Sequence, residues 1–401
     1  MGKFHSQADV LVIGAGLAGF RAAFAAKQTN PAAEVVIVCP TKAPQGSSFM
    51  NVHNQLGIQV CRNDNERRRF IEDAIAIAPP GDIDTGLVGI LAEESATAFE
   101  DIMVWGPRLQ TDSGGEYLRV PGCFSQQPRA YILRDIHSFF YRVLGYVENH
   151  GVRIENGWMA ERILTKVISG RFKAAGAMLR QVSSKKSRRK ISARAVVLAC
   201  GGETARFSTT LAGSGEGALY IHDWCRANGV EYVNDSYTQY VWCRADDFGH
   251  WHIKRLADKG AGFRDSNAAF STVPNDLMSL FKSRATHAPV AHALPDRAID
   301  DLLIKQVDPN GIVNVFHPDT GWEKVVLAAQ VSSGGIRIDE NGRTTMPGLL
   351  ACGECAGGMH GANRMGGAMV LAGQVFGKRA GQTAASFVAV GDECNDKFDF
   401  H

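Results

Sequence analysis

No stretch of this chain approaches the ~18 consecutive apolar residues that a membrane-crossing helix requires, so no span is expected. Nor is one sign of charge in surplus. The 401 residues carry a formal net charge of +2, which gives no global field toward nucleic acid or a membrane surface. The start, Met1-Gly-Lys-Phe-His-Ser6, lacks the apolar core of a signal peptide, and a cytoplasmic protein is therefore expected. Nine cysteines are scattered without paired-finger spacing. In a reducing compartment most are expected to be buried thiols. Cys352-x-x-Cys355 is the one C-x-x-C, and without a second ligand pair it predicts no metal. The one basic run, Lys185 to Lys190, lies between two strand-like segments and reads as a solvated hairpin tip.

What is present starts near the N-terminus. Val10 to Ile13 read as a buried parallel strand. Gly14, Gly16 and Gly19 follow as G-x-G-x-x-G. Gly14 permits the tight turn, Gly16 lets the backbone approach a pyrophosphate, and Gly19 lets the next helix pack close. That helix, opening at Leu17 and Ala18, is alanine-rich and turns free N–H groups and a positive dipole end toward phosphate. A second strand, Glu34 to Cys39, follows at the distance a dinucleotide fold requires. The acidic residue that often ends that strand is missing, and Pro40, Thr41 and Lys42 stand there. Either Thr41, with Lys42 and backbone groups, meets the ribose, or a carboxylate arrives from elsewhere.

Further along, Gly46 to Ile58 is polar and glycine-bounded, as a loop facing a cofactor is. Residues 66–105 have helical periodicity broken at Pro79-Pro80-Gly81, which predicts two surface helices. Residues 129–150 predict one long amphipathic helix, and Gly151 begins a strand. Trp158 to Leu164 and Arg171 to Leu179 predict antiparallel strands turning at Ser169-Gly170. Ala193 to Gly202 is an apolar strand whose tip, Ala199, Gly201 and Gly202, suits passage under a cofactor. Gly213 to Gly217 opens another helix. From 243 to 328 the rhythm changes, and an inserted, shortened α+β cap is expected between nucleotide-binding segments 1–242 and 329–401. Parallel-strand character returns at Gly334, with a turn at Asn341-Gly342. The run Cys352 to Gly367 then leads into a small-residue helix, Ala368 to Phe387.

These markers together resemble the flavoprotein family of fumarate reductase, succinate dehydrogenase and L-aspartate oxidase. The carriers are Val12 to Gly19, Ala195 to Gly202 and, above all, Cys352-Gly-Glu-Cys-Ala-Gly-Gly-Met-His-Gly-Ala-Asn-Arg-Met-Gly-Gly367. The resemblance implies an α/β fold, a Rossmann-like domain holding FAD between its glycine-rich regions. In that likeness Gly14, Gly16 and Gly19 match the pyrophosphate loop. Ser47, Ser48 and Gly57 match the loop passing the flavin. Gly353 and Glu354 match the turn whose acid holds a ribitol or ribose hydroxyl. Ala362 and Asn363 match the turn near the isoalloxazine, and Gly366 and Gly367 precede a helix that points its dipole at the flavin. Arg364 matches the substrate-binding Arg, whose planar fork suits a carboxylate. His360 stands in the same turn and is a further catalytic candidate, with a packed turn histidine as the alternative.

The departures carry as much weight. Ser48 stands where respiratory members attach FAD through a histidine, so noncovalent FAD is expected, with His53 the nearby alternative anchor. The family's proton-donating Arg has its nearest counterpart in Lys259-Gly260-Ala261-Gly262, with Arg264 close by. A histidine expected after Gln239 is replaced by Tyr240-Val241-Trp242, and another by Val331-Ser332. The resemblance therefore implies an FAD-dependent oxidoreductase moving a hydride between flavin N5 and a small carboxylate other than fumarate or succinate. Arg364 would be its anchor, and Lys259 or Arg264 its proton donor or charge stabiliser. The alternative is an electron-transfer component of a larger complex with an iron–sulfur partner, its substrate site rebuilt or closed.

Overall fold

A computed structural model of the chain describes residues 5–211 and 215–389. Met1 to Phe4, and Gly213-Ser214 of the expected helix opening, lie outside the described residues. The organising element is a seven-stranded sheet. Arg153–Asn156, Val35–Cys39, His5–Ile13 and the second half of Ser184–Leu198 run parallel, and Leu349–Ala351 joins the end of that last strand, also in parallel. The first half of Ser184–Leu198 instead pairs antiparallel with Arg171–Gln181, which pairs in turn with Trp158–Ile168. The basic run thus lies along a strand rather than at a hairpin tip, where Arg188 and Arg189 pair with Glu161 and Glu155.

Helix Leu17–Thr29 packs on this sheet, and helix Ala368–Ala389 packs on it in turn. Their closeness follows from small residues on both faces. A Cβ on Gly377 would stand 2.9 Å from the Ala18 carbonyl oxygen, and one on Gly381 2.1 Å from that of Ala22. Only glycine lets two helices approach so nearly, and the approach fixes the N-terminal ends of both beside the same cavity.

The helices Asp64–Ile77 and Thr85–Met103 stand as expected on either side of Pro79-Pro80-Gly81. Their caps are side chains: Asn63 accepts from the Glu66 N–H, and Asp84 from Gly86 and Leu87. The single helix expected over 129–150 is instead a strand, Ala130–Arg134, followed by the helix Ile136–Asn149. The strand wins because it pairs antiparallel with Gln55–Gln59, a tertiary contact that local periodicity cannot register.

A second, five-stranded antiparallel sheet contains Thr238–Arg244, Gly321–Ser332, Ile312–His317, Gly262–Arg264 and Phe270–Ser271. Its first and last residues straddle positions 243 and 328. It has its own core, with Trp242, Phe263, Leu303, Val313 and Val325 buried together. At the bottom of that core Arg284 holds Asp300 through Nε at 2.8 Å and Nη2 at 3.0 Å, and Trp242 Nε1 donates to the same carboxylate at 2.9 Å. A buried pair so fully bonded tolerates its desolvation, whereas removing either partner strands a charge. This layer meets the first where Phe124 stacks on His287, ring centroids 4.1 Å apart. Among the described residues no helix is long and apolar enough to cross a membrane.

Candidate active site

The carboxyl ends of the parallel strands open onto one cavity of about 580 Å³. Ile13 and Gly14, Val38 and Pro40, Ala199 and Cys200, and Cys352 and Gly353 all line it, each pair at a strand end. This is where open parallel sheets hold ligands. Gly14 has φ +114°, and a Cβ there would stand 2.3 Å from the Ala199 carbonyl oxygen. The turn is therefore closed to any side chain. Gly19 is equally crowded, with a Cβ position 2.0 Å from the Gly14 carbonyl oxygen. Gly16 differs, because a Cβ there would meet only the Ser48 Oγ, at 3.5 Å, and otherwise faces the cavity. A Cβ on Gly201 would meet nothing within 4 Å. Two glycines thus shape the turn, while Gly16 and Gly201 leave room for something that is not protein. The donor set fits FAD: free backbone N–H groups at the start of Leu17–Thr29 suit a pyrophosphate, and a carboxylate in the middle of the cavity suits sugar hydroxyls.

That carboxylate is Glu354. The Ser47 hydroxyl donates to its Oε2 at 2.8 Å, and the Ser332 N–H to its Oε1 at 3.1 Å. Burial pushes its pKa up, against these two donors and the charge of Arg364. Arg364 also lines the cavity. Its Nη1 donates to the Met365 carbonyl oxygen at 3.0 Å, and its Nε has no partner. Burial draws its pKa down, with Cys123 and Glu354 acting the other way. Gln239, itself fully buried, donates from Nε2 to the Arg364 carbonyl oxygen at 3.2 Å, tying the cap's first strand to this turn.

Of the sequence-expected residues, the cavity gathers Gly14, Gly16, Leu17, Ala18, Ser47, Ser48, Gly57, Ala199, Gly201, Gly202, Gly353, Glu354, Arg364, Gly366 and Gly367. Others lie outside it, for identifiable reasons. Lys42 is drawn to Glu148 at 2.5 Å, and the Thr41 hydroxyl accepts from the Ala43 N–H at 3.2 Å. Asn363 is fully engaged: Nδ2 donates to the Ile77 and His292 carbonyl oxygens, and Oδ1 accepts from the His292 N–H at 2.7 Å. It clamps the turn from behind, as does Ala362, whose N–H donates to the Ala78 carbonyl oxygen at 2.8 Å. His360 is buried beside Arg364, outside the main cavity, and burial together with that cation pushes its pKa down to about 3. Its ring is thus neutral near pH 7, and its Nε2 is buried without a partner.

The expectation for Lys259 and Arg264 also needs correction. Both are exposed and neither lines the cavity. The Arg264 guanidinium lies 4.5 Å over the Trp322 ring and donates to the Ala268 carbonyl oxygen at 3.1 Å. The cap instead brings Val241, Cys243, Phe248, His250, Ala288, Pro289, Gln330 and Val331 to the cavity. Gln330 precedes Val331-Ser332, which stand where the resemblance places a histidine. His250 gave no signal, since it stands in an irregular loop. Burial, then His252, His53 and Arg284, push its pKa down to about 4, so it is neutral near pH 7. Among the described residues no group of three or more His, Cys, Asp or Glu is placed to hold a metal ion.

Known proteins agree with this geometry. A family described as the FAD binding domain matches residues 9–253 and 288–370. The L-aspartate oxidase of Halobacterium salinarum is 29% identical over 399 residues, covering 94% of this chain and 75% of that protein. One of the subunits of the fumarate reductase (CoM/CoB) of Methanothermobacter marburgensis is 60% identical over 96 residues, 24% of this chain and 17% of that one. In fold, the chain is similar to Mycobacterium smegmatis Sdh1 in complex with UQ1, with TM-score 0.75 and 20% identity over 97% of this chain and 70% of that one. With a glycine-built dinucleotide cradle, a buried acid inside it and these relatives, the chain belongs to the FAD binding domain family and is an FAD-dependent oxidoreductase.

Proposed function

We propose that this oxidoreductase acts on a small carboxylate-bearing substrate other than fumarate or succinate, with Arg364 as the carboxylate anchor. The observation that carries the reading is a cavity-lining guanidinium whose Nε is buried without a partner and which has no carboxylate within ion-pair distance among the described residues. A buried guanidinium without a carboxylate partner suits the carboxylate of a ligand. FAD bound in the cradle supplies a reversible two-electron centre at the hydride level. The chain's own groups do the rest. The turn at Gly14 and Gly16, with the N-terminus of Leu17–Thr29, would hold the pyrophosphate. Glu354, steadied by Ser47, would hold a sugar hydroxyl. Gly366 and Gly367 would leave the N-terminus of Ala368–Ala389 free to face the flavin. Arg364 orients the substrate, and the cap wall keeps water from it.

The FAD-binding segments on either side of a cap remain part of this proposal, as does a cytoplasmic location. So does noncovalent attachment, since Ser48 stands at the anchoring place and His53 is exposed at the mouth. Acid precipitation should leave the flavin in the supernatant, and flavin retained in the pellet would contradict it. The substrate reading is tested by anaerobic mixing of the yellow protein with a panel of carboxylic acids and their amides. Bleaching of the flavin by an acid but not by its amide supports the reading, and equal bleaching by both removes it.

A second reading, a flavin protein that relays electrons to an iron–sulfur partner, is favoured by one finding: its 60% identical stretch is shared with a chain named as one subunit of a reductase. On that reading Arg364→Lys shifts the flavin potential modestly and leaves transfer to the partner nearly intact.

A further inference from the structure

We propose that the ligand anchored by Arg364 carries one carboxylate only, and that the rest of its body is apolar and packs against the cap. This rests on the carboxylate reading of Arg364 and narrows it to a substrate class.

The wall in question is continuous with Arg364. Gln239, bonded to the Arg364 carbonyl oxygen, belongs to the strand Thr238–Arg244. That strand carries Val241 and Cys243 onto the cavity. Val241 bridges to Pro289, and Cys243 to His250. Next to Pro289, the Ala288 N–H donates to Cys123 Sγ at 3.5 Å, and Cys123 is one of the groups acting on the Arg364 charge. A ligand that reaches from Arg364 along this wall therefore meets Leu211, Val241, Cys243, Phe248, Pro289 and Val331.

None of these offers a charge to a second carboxylate. Arg364 is the only Lys or Arg among the described residues lining the cavity. On the cap side Arg284, whose charge acts on His250, is 1% exposed and is spent on Asp300 and on the carbonyl oxygens of His287 and Ala288. The Cys243 thiol is pushed up to about 11 by burial and so stays uncharged, and His250 is neutral. Gln330 provides the wall's one amide, with its Oε1 buried and unpartnered, and an amide supplies hydrogen bonds but no compensating charge. His53, at the mouth, is exposed and solvated. A second carboxylate against this wall would lose its water without gaining a cation, the costly case of burying charge. A methyl, alkyl or aryl group in the same place gains from leaving water.

Crotonate and fumarate make the comparison almost atom for atom, since a methyl in one replaces a carboxylate in the other. The test titrates each into the oxidised holoprotein and follows the absorbance of bound flavin as a binding signal. Crotonate should bind saturably, with a dissociation constant at least about tenfold below that of fumarate. Val241→Lys, which places a cation on the wall, should narrow or invert that ratio. If Val241→Lys fails to retain FAD, the wild-type ratio alone decides. Equal or tighter binding of fumarate by the wild type, with Arg364→Lys weakening both acids, would overturn this inference and leave Arg364 as a carboxylate anchor. Failure of both acids to bind, or equal binding of crotonate by wild type and Arg364→Lys, would overturn the anchor reading as well.

Discussion

The two walls of the cavity are built on opposite plans. On the strand-end side the lining is backbone: Gly14, Gly16, Gly201, Gly202, Gly353 and Gly367 remove side chains from the surface, and one carboxylate, Glu354, stands among them. On the cap side the lining is side chain: Val241, Cys243, Phe248 and Pro289, with His250 and Gln330 among them. A phosphate-bearing cofactor is met by N–H groups and helix ends, which work only where nothing protrudes. A substrate is chosen by shape and polarity, which only side chains supply. Arg364 stands at the seam, carried on the turn of the first wall and tied through Gln239 to the second.

Substitutions that separate these plans should give graded effects. The largest is expected at Gly14→Val or Gly19→Val, where a Cβ stands within 2.3 Å of backbone oxygen. Overpacking of this kind costs about 1–3 kcal/mol or more, and these variants should show lower thermal stability even as apoprotein. Gly16→Val sharpens the contrast. Its Cβ faces the cavity, so the apoprotein should melt like wild type while FAD affinity falls on the order of 100-fold, about 3 kcal/mol. Normal flavin content in Gly16→Val would break the distinction between the turn-shaping and cofactor-facing glycines.

On the cap side, fumarate and succinate should turn over at least ~10²-fold below ordinary enzyme rates, since no positioned acid replaces the expected Lys259 or Arg264. Ordinary rates with either acid would mean that the cap wall has been misread. A smaller effect is expected from pH. The His250 pKa is lowered from 6.5 to about 4, so the unfolded chain takes up a proton first as pH falls. The contribution of this site is therefore complete above pH 6.5, declines between pH 6.5 and about 4, and falls no further below that. Melting curves over this window should show His250→Gln losing less stability than wild type on acidification. The smallest effects belong to Lys259→Ala and Arg264→Ala. As exposed residues outside the cavity they should each change transition-state stabilisation by less than about 0.5 kcal/mol.

The same contrast explains what was legible from sequence. Glycine at fixed spacing, after an apolar strand and before a small-residue helix, has few physical uses, so Gly14, Gly16 and Gly202 announced themselves, while Glu354 and Arg364 came from likeness to a known family. Thr41, Lys42 and Asn363 were placed near the cofactor by chain position, but their hydrogen bonds take them to Ala43, Glu148 and His292. Position in a motif does not say which way a side chain is pulled. The strand Ala130–Arg134 was hidden because its reason is a partner far back in the chain, Gln55–Gln59. The cap wall was least legible, since compact apolar side chains in short antiparallel strands and loops carry no punctuation. Lys259 and Arg264 were chosen there by likeness to a motif, whereas the fold turns them to solvent.

The most direct test of the central claim, that Arg364 serves the substrate and not the cofactor, takes one variant and two readings. Arg364→Lys is purified, its FAD content is measured, and its flavin is reduced anaerobically with the acid that bleaches the wild type fastest. Lysine keeps the charge but loses the planar fork. The account predicts wild-type FAD content with reduction slowed by about 2–4 kcal/mol of transition-state stabilisation, roughly 30- to 1000-fold. Loss of FAD from the variant, or reduction at the wild-type rate with FAD in place, would contradict it.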